Sequence, residues 1–166
     1  MIQFDFKDQV VAVTGGSGGI GGAVAQAIMA GGGKVAVWDL ASALPKAPRG
    51  TLALAVDVSD YASVEAAAKQ TIATFGRIDG LVNAAGLTTR GSFVTGTDAI
   101  WNELFSVNAR ASFFLMQEAI KDMRSRNSPG SIVNILSMNA HCGRAELAIY
   151  SGTKGALATL TRNAAN

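Results

Sequence analysis

The sequence predicts one α/β domain built on a doubly wound parallel sheet, and three observations predict it. Short apolar, β-branched runs alternate with alanine-rich runs of helical length along the whole chain. Parallel strands need a crossover of about a dozen residues, usually a helix, so this alternation reads as βαβ units in a sheet covered on both faces. A chain of 166 residues, 49% of them hydrophobic, is also long enough for one sizeable core, and no internal repeat or low-complexity linker divides it.

The elements follow in order. Val10–Val13 is a buried strand that runs into a glycine cluster. Ile20–Ala30 has apolar residues at helical spacing and is stopped by Gly31, Gly32 and Gly33. Lys34–Trp38 is the second strand, ending at Asp39; Leu40–Gly50, with Pro45 and Pro48, is a loop or a very short helix. Thr51–Val56 is the third strand, followed by Asp57. Ser59 or Asp60 can cap a helix to about Phe75, which Gly76 terminates. Gly80–Asn83 is the fourth strand, opening into Ala84, Ala85 and Gly86. Helical sequence returns from about Asp98 to Arg126 with a break near Asn108. Ser131–Leu136 is the fifth strand, and a last helix starts near Tyr150 and is still running at Asn166.

Composition excludes several classes. Fourteen basic and twelve acidic side chains leave a net charge of +2 with no run or stripe of either sign, which argues against nucleic-acid and membrane-surface binding. Val10–Gly33 lacks charge for longer than a membrane span needs, but nine of its residues are glycine, so it reads as strand, loop and helix. Cys142 is the only cysteine; no internal disulfide can form, and a reducing, cytoplasmic setting fits. No metal ligands stand at a recognisable spacing.

The segment Thr14-Gly15-Gly16-Ser17-Gly18-Gly19-Ile20-Gly21 joins the first strand to the first helix. Glycines there allow a tight turn and let backbone N–H groups approach a pyrophosphate at the positive helix end. Its glycines satisfy three spacings at once: Gly16, Gly18, Gly21; Gly15, Gly19, Gly21; and Gly15, Gly18, Gly21. The competing reading is a small-residue turn that lets the helix pack closely on the sheet. Asp39 lies eighteen residues after Gly21 at the end of the second strand, where a dinucleotide (Rossmann-type) fold places a carboxylate on the adenosine ribose. It would repel a 2′-phosphate, and neither Gly18 nor Leu40 offers a compensating charge, so NAD is expected over NADP. Asp57 ends the third strand in the same crevice, or else simply forms a turn.

Tyr150 and Lys154 stand four apart, on one face of a helix, and Ser137 precedes Tyr150 by thirteen residues. An ammonium beside a phenol favours the phenolate and makes it a usable acid/base near neutral pH. With Thr14-Gly15, Gly19, Gly21, Asp57-Val58, Asn83-Ala84-Ala85-Gly86, Asn108, Ser137, Tyr150 and Lys154 all in order, the chain resembles the short-chain dehydrogenase/reductase family in its compact, single-domain branch, from the first strand to the last residue.

The resemblance implies an NAD-dependent dehydrogenase or reductase acting on a secondary alcohol or ketone, with a polyol or sugar as the substrate class by family habit. Tyr150 would exchange a proton with the substrate oxygen, and Lys154 would lower its pKa and bond the nicotinamide ribose. Ser137 would hold the substrate oxygen, and Asn108 would interrupt its helix and hold a water that relays protons. The cofactor would meet Gly15, Ser17, Gly19, Ile20 and Gly21, then Asp39 and Leu40, then Asp57 and Val58. Asn83, Ala84, Ala85 and Gly86 would border its adenosine and ribose. The substrate would meet Ser137, Asn139, His141 and Tyr150. Each role has a plainer competitor: a solvated Asn108, a turn-capping Ser137, a surface His141. Cys142 has no activating arrangement, and Phe113–Met116 reads as core or subunit contact. A homo-oligomer, tetramer or dimer, is also implied.

Members of this type run about half as long again, adding a sixth strand, a Pro-Gly turn, a substrate lid and a seventh strand. The sequence stops at Asn166 within a helix, after the fifth strand and its following helix, so either the chain is truncated there or disordered residues that follow are left out, the second being the preferred expectation. The rival reading is a nucleotide-binding fragment or regulatory module without turnover. An epimerase or dehydratase is disfavoured by the Ser–Tyr spacing.

Overall fold

The computed structural model describes residues 4–165. Strands β1 (Val10–Thr14), β2 (Lys34–Asp39), β3 (Leu52–Ala55), β4 (Gly80–Asn83) and β5 (Ser131–Asn134) form one parallel sheet in the order β3-β2-β1-β4-β5. The chain winds outward from β1 through β2 and β3, then crosses to the other side of β1 for β4 and β5. The connections that leave β1 and β4 therefore diverge, and a crevice opens between them at the carboxyl ends of the strands.

The helices are α1 (Gly19–Ala30), α2 (Tyr61–Phe75), α3 (Asp98–Phe105), α4 (Ala111–Ser125) and α5 (Ala148–Ala164). Side chains alternate across a strand, and this period of two divides the core. Val11, Val13, Val35, Val37 and Val82 point to one face, where Ala25 and Ile28 of α1 cover them. Ala12, Ala36, Trp38 and Leu81 point to the other, against Val64, Ala67 and Ala68 of α2 and Leu115, Met116, Ala119 and Met123 of α4. Trp38 donates from Nε1 to Thr71 Oγ1 at 3.1 Å, tying β2 to α2 with a buried hydrogen bond. Val133 of β5 is in register with Val82 on the α1 face, yet it is 50% exposed.

Helix ends obey local chemistry. Asp60 caps α2 by accepting from Ala62 N at 3.0 Å, and Gly76 ends it in the left-handed region at φ 86°. Thr97 caps α3 through Ile100 N. The break near Asn108 is a π-helical turn over Ser106–Arg110, an extra residue inserted between α3 and α4. The Leu40–Gly50 loop contains one 3₁₀ turn, Leu44–Lys46. Of the Phe113–Met116 run, Leu115 and Met116 are core residues, while Phe113 is partly exposed.

Three boundaries differ from expectation. β3 covers only Leu52–Ala55, at the sheet edge with one partner. β5 stops at Asn134 instead of Leu136: Ile135 N still donates to Asn83 O at 3.0 Å, but β4 ends at Asn83, and the Ile135 carbonyl is taken by Lys154. α5 begins at Ala148, before Tyr150, since Ala148 N donates to Gly91 O at 3.1 Å and starts the helix from another loop.

Candidate active site

The crevice at the carboxyl end of the sheet has a volume of about 480 Å³ and is floored by the glycine loop. Gly15 and Gly19 hold positive φ, 64° and 53°, a conformation that side chains disfavour. A Cβ on Gly21 would be driven into the Gly15 carbonyl oxygen, so the helix can start this close to the turn only with glycine there. Gly18 and Gly19, by contrast, have open space where a Cβ would stand. The N-terminus of α1 faces this space with no side-chain cap, and the buried Ser17 hydroxyl in the same loop has no partner among the described residues. Uncapped N–H groups, a free hydroxyl and an open cradle suit an anionic pyrophosphate, so the residues present fit a dinucleotide.

Most of the expected cofactor contacts line the crevice: Gly15, Ser17, Gly19, Ile20, Gly21, Asp39, Leu40, Asp57, Val58, Ala84, Ala85 and Gly86. Asp39 accepts from Ser17 N at 3.0 Å through Oδ2 and from Leu40 N at 2.9 Å through Oδ1, so it braces the glycine loop as well as facing the crevice. Asp57 accepts from Ser59 N at 2.9 Å and Ser59 Oγ at 2.7 Å on a single oxygen, leaving the other open. Asn83 is not brought into the crevice. Its side chain is buried and donates to Asn134 Oδ1 at 2.7 Å, and Asn134 donates on to Thr161 Oγ1 at 2.9 Å, a polar link from β4 through β5 to α5.

Sequence reasoning missed Trp38, Ala43, Lys46, Val56, Leu87 and Val107 in the lining. It also missed the role of Thr14, whose Oγ1 accepts from both Ala84 N and Ala85 N at 3.1 Å and holds the glycine turn against the end of β4. A threonine directly before Gly15 was the available signal; its partners lie seventy residues away.

At the other end of the crevice stand the groups on α5. Lys154 is 7% exposed; its Nζ donates to Ile135 O at 2.8 Å and lies 5.9 Å from the centre of the Tyr150 ring. Burial pushes the Lys154 pKa below 10.5 by disfavouring the charged form. Asn108 is fully buried: Oδ1 accepts from Leu87 N at 2.8 Å, and Nδ2 donates to Leu87 O at 2.9 Å and Thr153 Oγ1 at 3.1 Å. The Asn108 amide is thus a clamp between the β4 loop and α5, a role beyond the water-holding one expected of it. Ser137 Oγ accepts from Asn139 N at 3.2 Å, capping the 3₁₀ turn Met138–Ala140, and its proton remains available to donate. Asn139 is half-buried on that turn, while His141 and Cys142 are exposed beyond it. Gly86 joins the two halves of the site. It lines the crevice, and a Cβ there would lie 3.2 Å from Asn108 Oδ1 and 3.7 Å from Lys154 Nζ.

A sequence model described as short chain dehydrogenase matches residues 9–166. The chain belongs to the short-chain dehydrogenase family. Among relatives of this short-chain dehydrogenase chain, 2-(S)-hydroxypropyl-CoM dehydrogenase 3 of Xanthobacter autotrophicus is 35% identical over 167 residues, covering 96% of this chain and 65% of that protein. Carbonyl reductase (NADPH) 2 of Sus scrofa is 34% identical over 169 residues, covering 99% of this chain and 67% of that protein. The crystal structure of levodione reductase superposes with a TM-score of 0.87 at 34% identity, over 96% of this chain and 66% of that one. The chain therefore spans about two thirds of the length of the relatives it matches. Among the described residues, no helix is long and apolar enough to cross a membrane.

Proposed function

We propose that the chain carries the cofactor-binding and catalytic portion of an NAD-dependent oxidoreductase that interconverts a secondary alcohol and a ketone. One observation carries the reading: Gly86 belongs to the glycine-loop crevice and abuts both Asn108 and Lys154, so a dinucleotide lying along the crevice would end beside Tyr150. When bound, the nicotinamide dinucleotide supplies the hydride donor or acceptor.

The chain's own residues supply the rest. The N–H groups at the start of α1 and the Ser17 hydroxyl hold the pyrophosphate. Asp39 takes the ribose hydroxyls at the adenosine end and repels a 2′-phosphate, which favours NAD. The Lys154 ammonium stabilises the Tyr150 phenolate, so Tyr150 accepts the proton of an alcohol or returns one to a ketone oxygen. Ser137 donates its hydroxyl proton to that oxygen and fixes it in line for transfer. Asn108, through Leu87 and Thr153, sets the distance between the crevice and α5. Asn139 and His141, at the mouth beyond Ser137, would meet the remainder of the substrate. A polyol or sugar, a homo-oligomeric assembly and a cytoplasmic setting belong to the same proposal; the lone Cys142 supports the last.

Turnover of a panel of secondary alcohols, followed as NADH absorbance, tests the reading. Tyr150→Phe should abolish turnover and leave NADH binding nearly unchanged; retained turnover would overturn the role of Tyr150. Nucleotide binding without turnover of any alcohol or ketone by the full polypeptide would instead favour a regulatory module.

A further inference from the structure

The glycine turn is held from β2 by two successive residues. Gly15 N, where the chain leaves β1, donates to Trp38 O at 2.9 Å, and Ser17 N donates to Asp39 Oδ2 at 3.0 Å. The turn therefore takes its shape from where the end of β2 stands. β3, the neighbour of β2 on its outer side, is the edge strand and has no buried residue, so it holds that end weakly. The Trp38 side chain holds it from the α2 side. It is buried, packs in the core cluster with Val64, Ala67 and Ala68, and donates from Nε1 to Thr71 Oγ1 at 3.1 Å. The Thr71 hydroxyl gives its own proton to Ala67 O at 2.8 Å within α2, which leaves its lone pairs to the indole. A buried indole N–H left without a partner is costly, so this bond fixes the ring against α2.

We propose that Trp38 and Thr71 are positioning residues for the dinucleotide: the indole, pinned to α2, sets the end of β2 from which Trp38 O and the Asp39 carboxylate hold the glycine turn in its anion-binding shape. The proposal rests on the dinucleotide reading of the crevice. A turn that visits other shapes binds with an affinity reduced by the fraction of competent molecules, so loosening β2 weakens binding without removing a contact. Thr71 is fully buried and does not line the crevice, so its effect on the cofactor passes through Trp38.

Amide hydrogen exchange of the full polypeptide without cofactor reads the brace directly. Titration with NADH, followed by fluorescence of the reduced nicotinamide, reads its consequence, and neither needs a substrate. Thr71→Val keeps the shape and removes the acceptor; exchange at Gly15 and Ser17 should quicken about tenfold and NADH binding weaken about fivefold. Thr71→Ser should return both to within about twofold of the unaltered protein. Trp38→Phe should weaken NADH binding as Thr71→Val does, and the double variant should bind no more weakly than either alone. Met123→Ala, which opens the core beside Gly130 at the opposite end of the sheet, controls for lost stability and should leave NADH affinity within about twofold. Unchanged exchange or unchanged NADH affinity in Thr71→Val, additive losses in the double variant, or an equal loss in Met123→Ala would each overturn the proposal. Failure of the unaltered protein to bind NADH would overturn the dinucleotide reading itself and the proposal with it.

Discussion

Asn108 grips Leu87 by both of its backbone polar groups, accepting from its N–H at 2.8 Å and donating to its carbonyl at 2.9 Å. The third bond of the same amide goes to Thr153, one residue before Lys154, so a single side chain fixes the spacing between the crevice and the catalytic helix. The π-helical turn at Ser106–Arg110 is what carries Asn108 to this place.

Asn108→Ala should therefore destabilise the fold by about 2–3 kcal/mol, since buried polar partners are left without bonds. Asn108→Asp keeps the bond from Leu87 N but sets its second oxygen against the Leu87 carbonyl in a buried site, and should cost at least as much. Urea unfolding measures both, and a change below about 0.5 kcal/mol for Asn108→Ala would contradict the clamp.

Thr14 makes a comparable link at the other end of the crevice. Thr14→Val keeps the shape and removes the oxygen that accepts from Ala84 N and Ala85 N, and should cost about 2 kcal/mol and weaken nucleotide binding. Thr14→Ser should retain most of both. Equal stability of the valine and serine variants would show that the hydroxyl contributes nothing.

Gly21→Ala places a methyl group against the Gly15 carbonyl, which is backbone and cannot swing aside. The glycine turn must open, and nucleotide affinity should fall by at least about tenfold. Gly22→Ala is the control: a Cβ there finds its nearest neighbour at 3.6 Å, an ordinary contact, and affinity should stay within about twofold.

The lowered pKa of Lys154 has a defined sign. Burial holds the folded-state value below 10.5, so between the folded value and 10.5 the unfolded chain binds more protons than the folded one. Stability contributed by this group then rises with pH across that window: the penalty for burying the ammonium is full below the folded value and relieved above it. The stability of the unaltered protein relative to Lys154→Met should thus improve from neutrality toward 10.5 in urea titrations. A flat difference across that range would contradict desolvation as the cause.

The site was only partly legible in the sequence. The glycine loop, Asp39 and the Tyr150–Lys154 pair could be read because each lies in a short segment whose turn chemistry or helical spacing is local. Asn83 could not: its position at the end of β4 suggests a crevice residue, but strand alternation turns its side chain inward to Asn134. Lys46 could not either, because proline and alanine around it signal only a loop, and packing of Leu44 and Ala47 against the core cluster between the sheet and α1 decides where that loop lies.

By itself the sequence determined the succession of strands and helices, their caps and the parallel class of the sheet, since hydrophobic period and end signals act over a few residues. Tertiary structure decided which distant groups meet. Thr14 with Ala84 and Ala85, Asn108 with Leu87 and Thr153, and Lys154 with Ile135 are separated by nineteen to seventy-one residues. They are brought together by the strand order β3-β2-β1-β4-β5 and by the π-helical turn between α3 and α4. A one-residue insertion or a crossing of the sheet changes every such contact while leaving local propensity almost untouched, and this is why the Asn108 clamp and the Thr14 link became visible only in the folded chain.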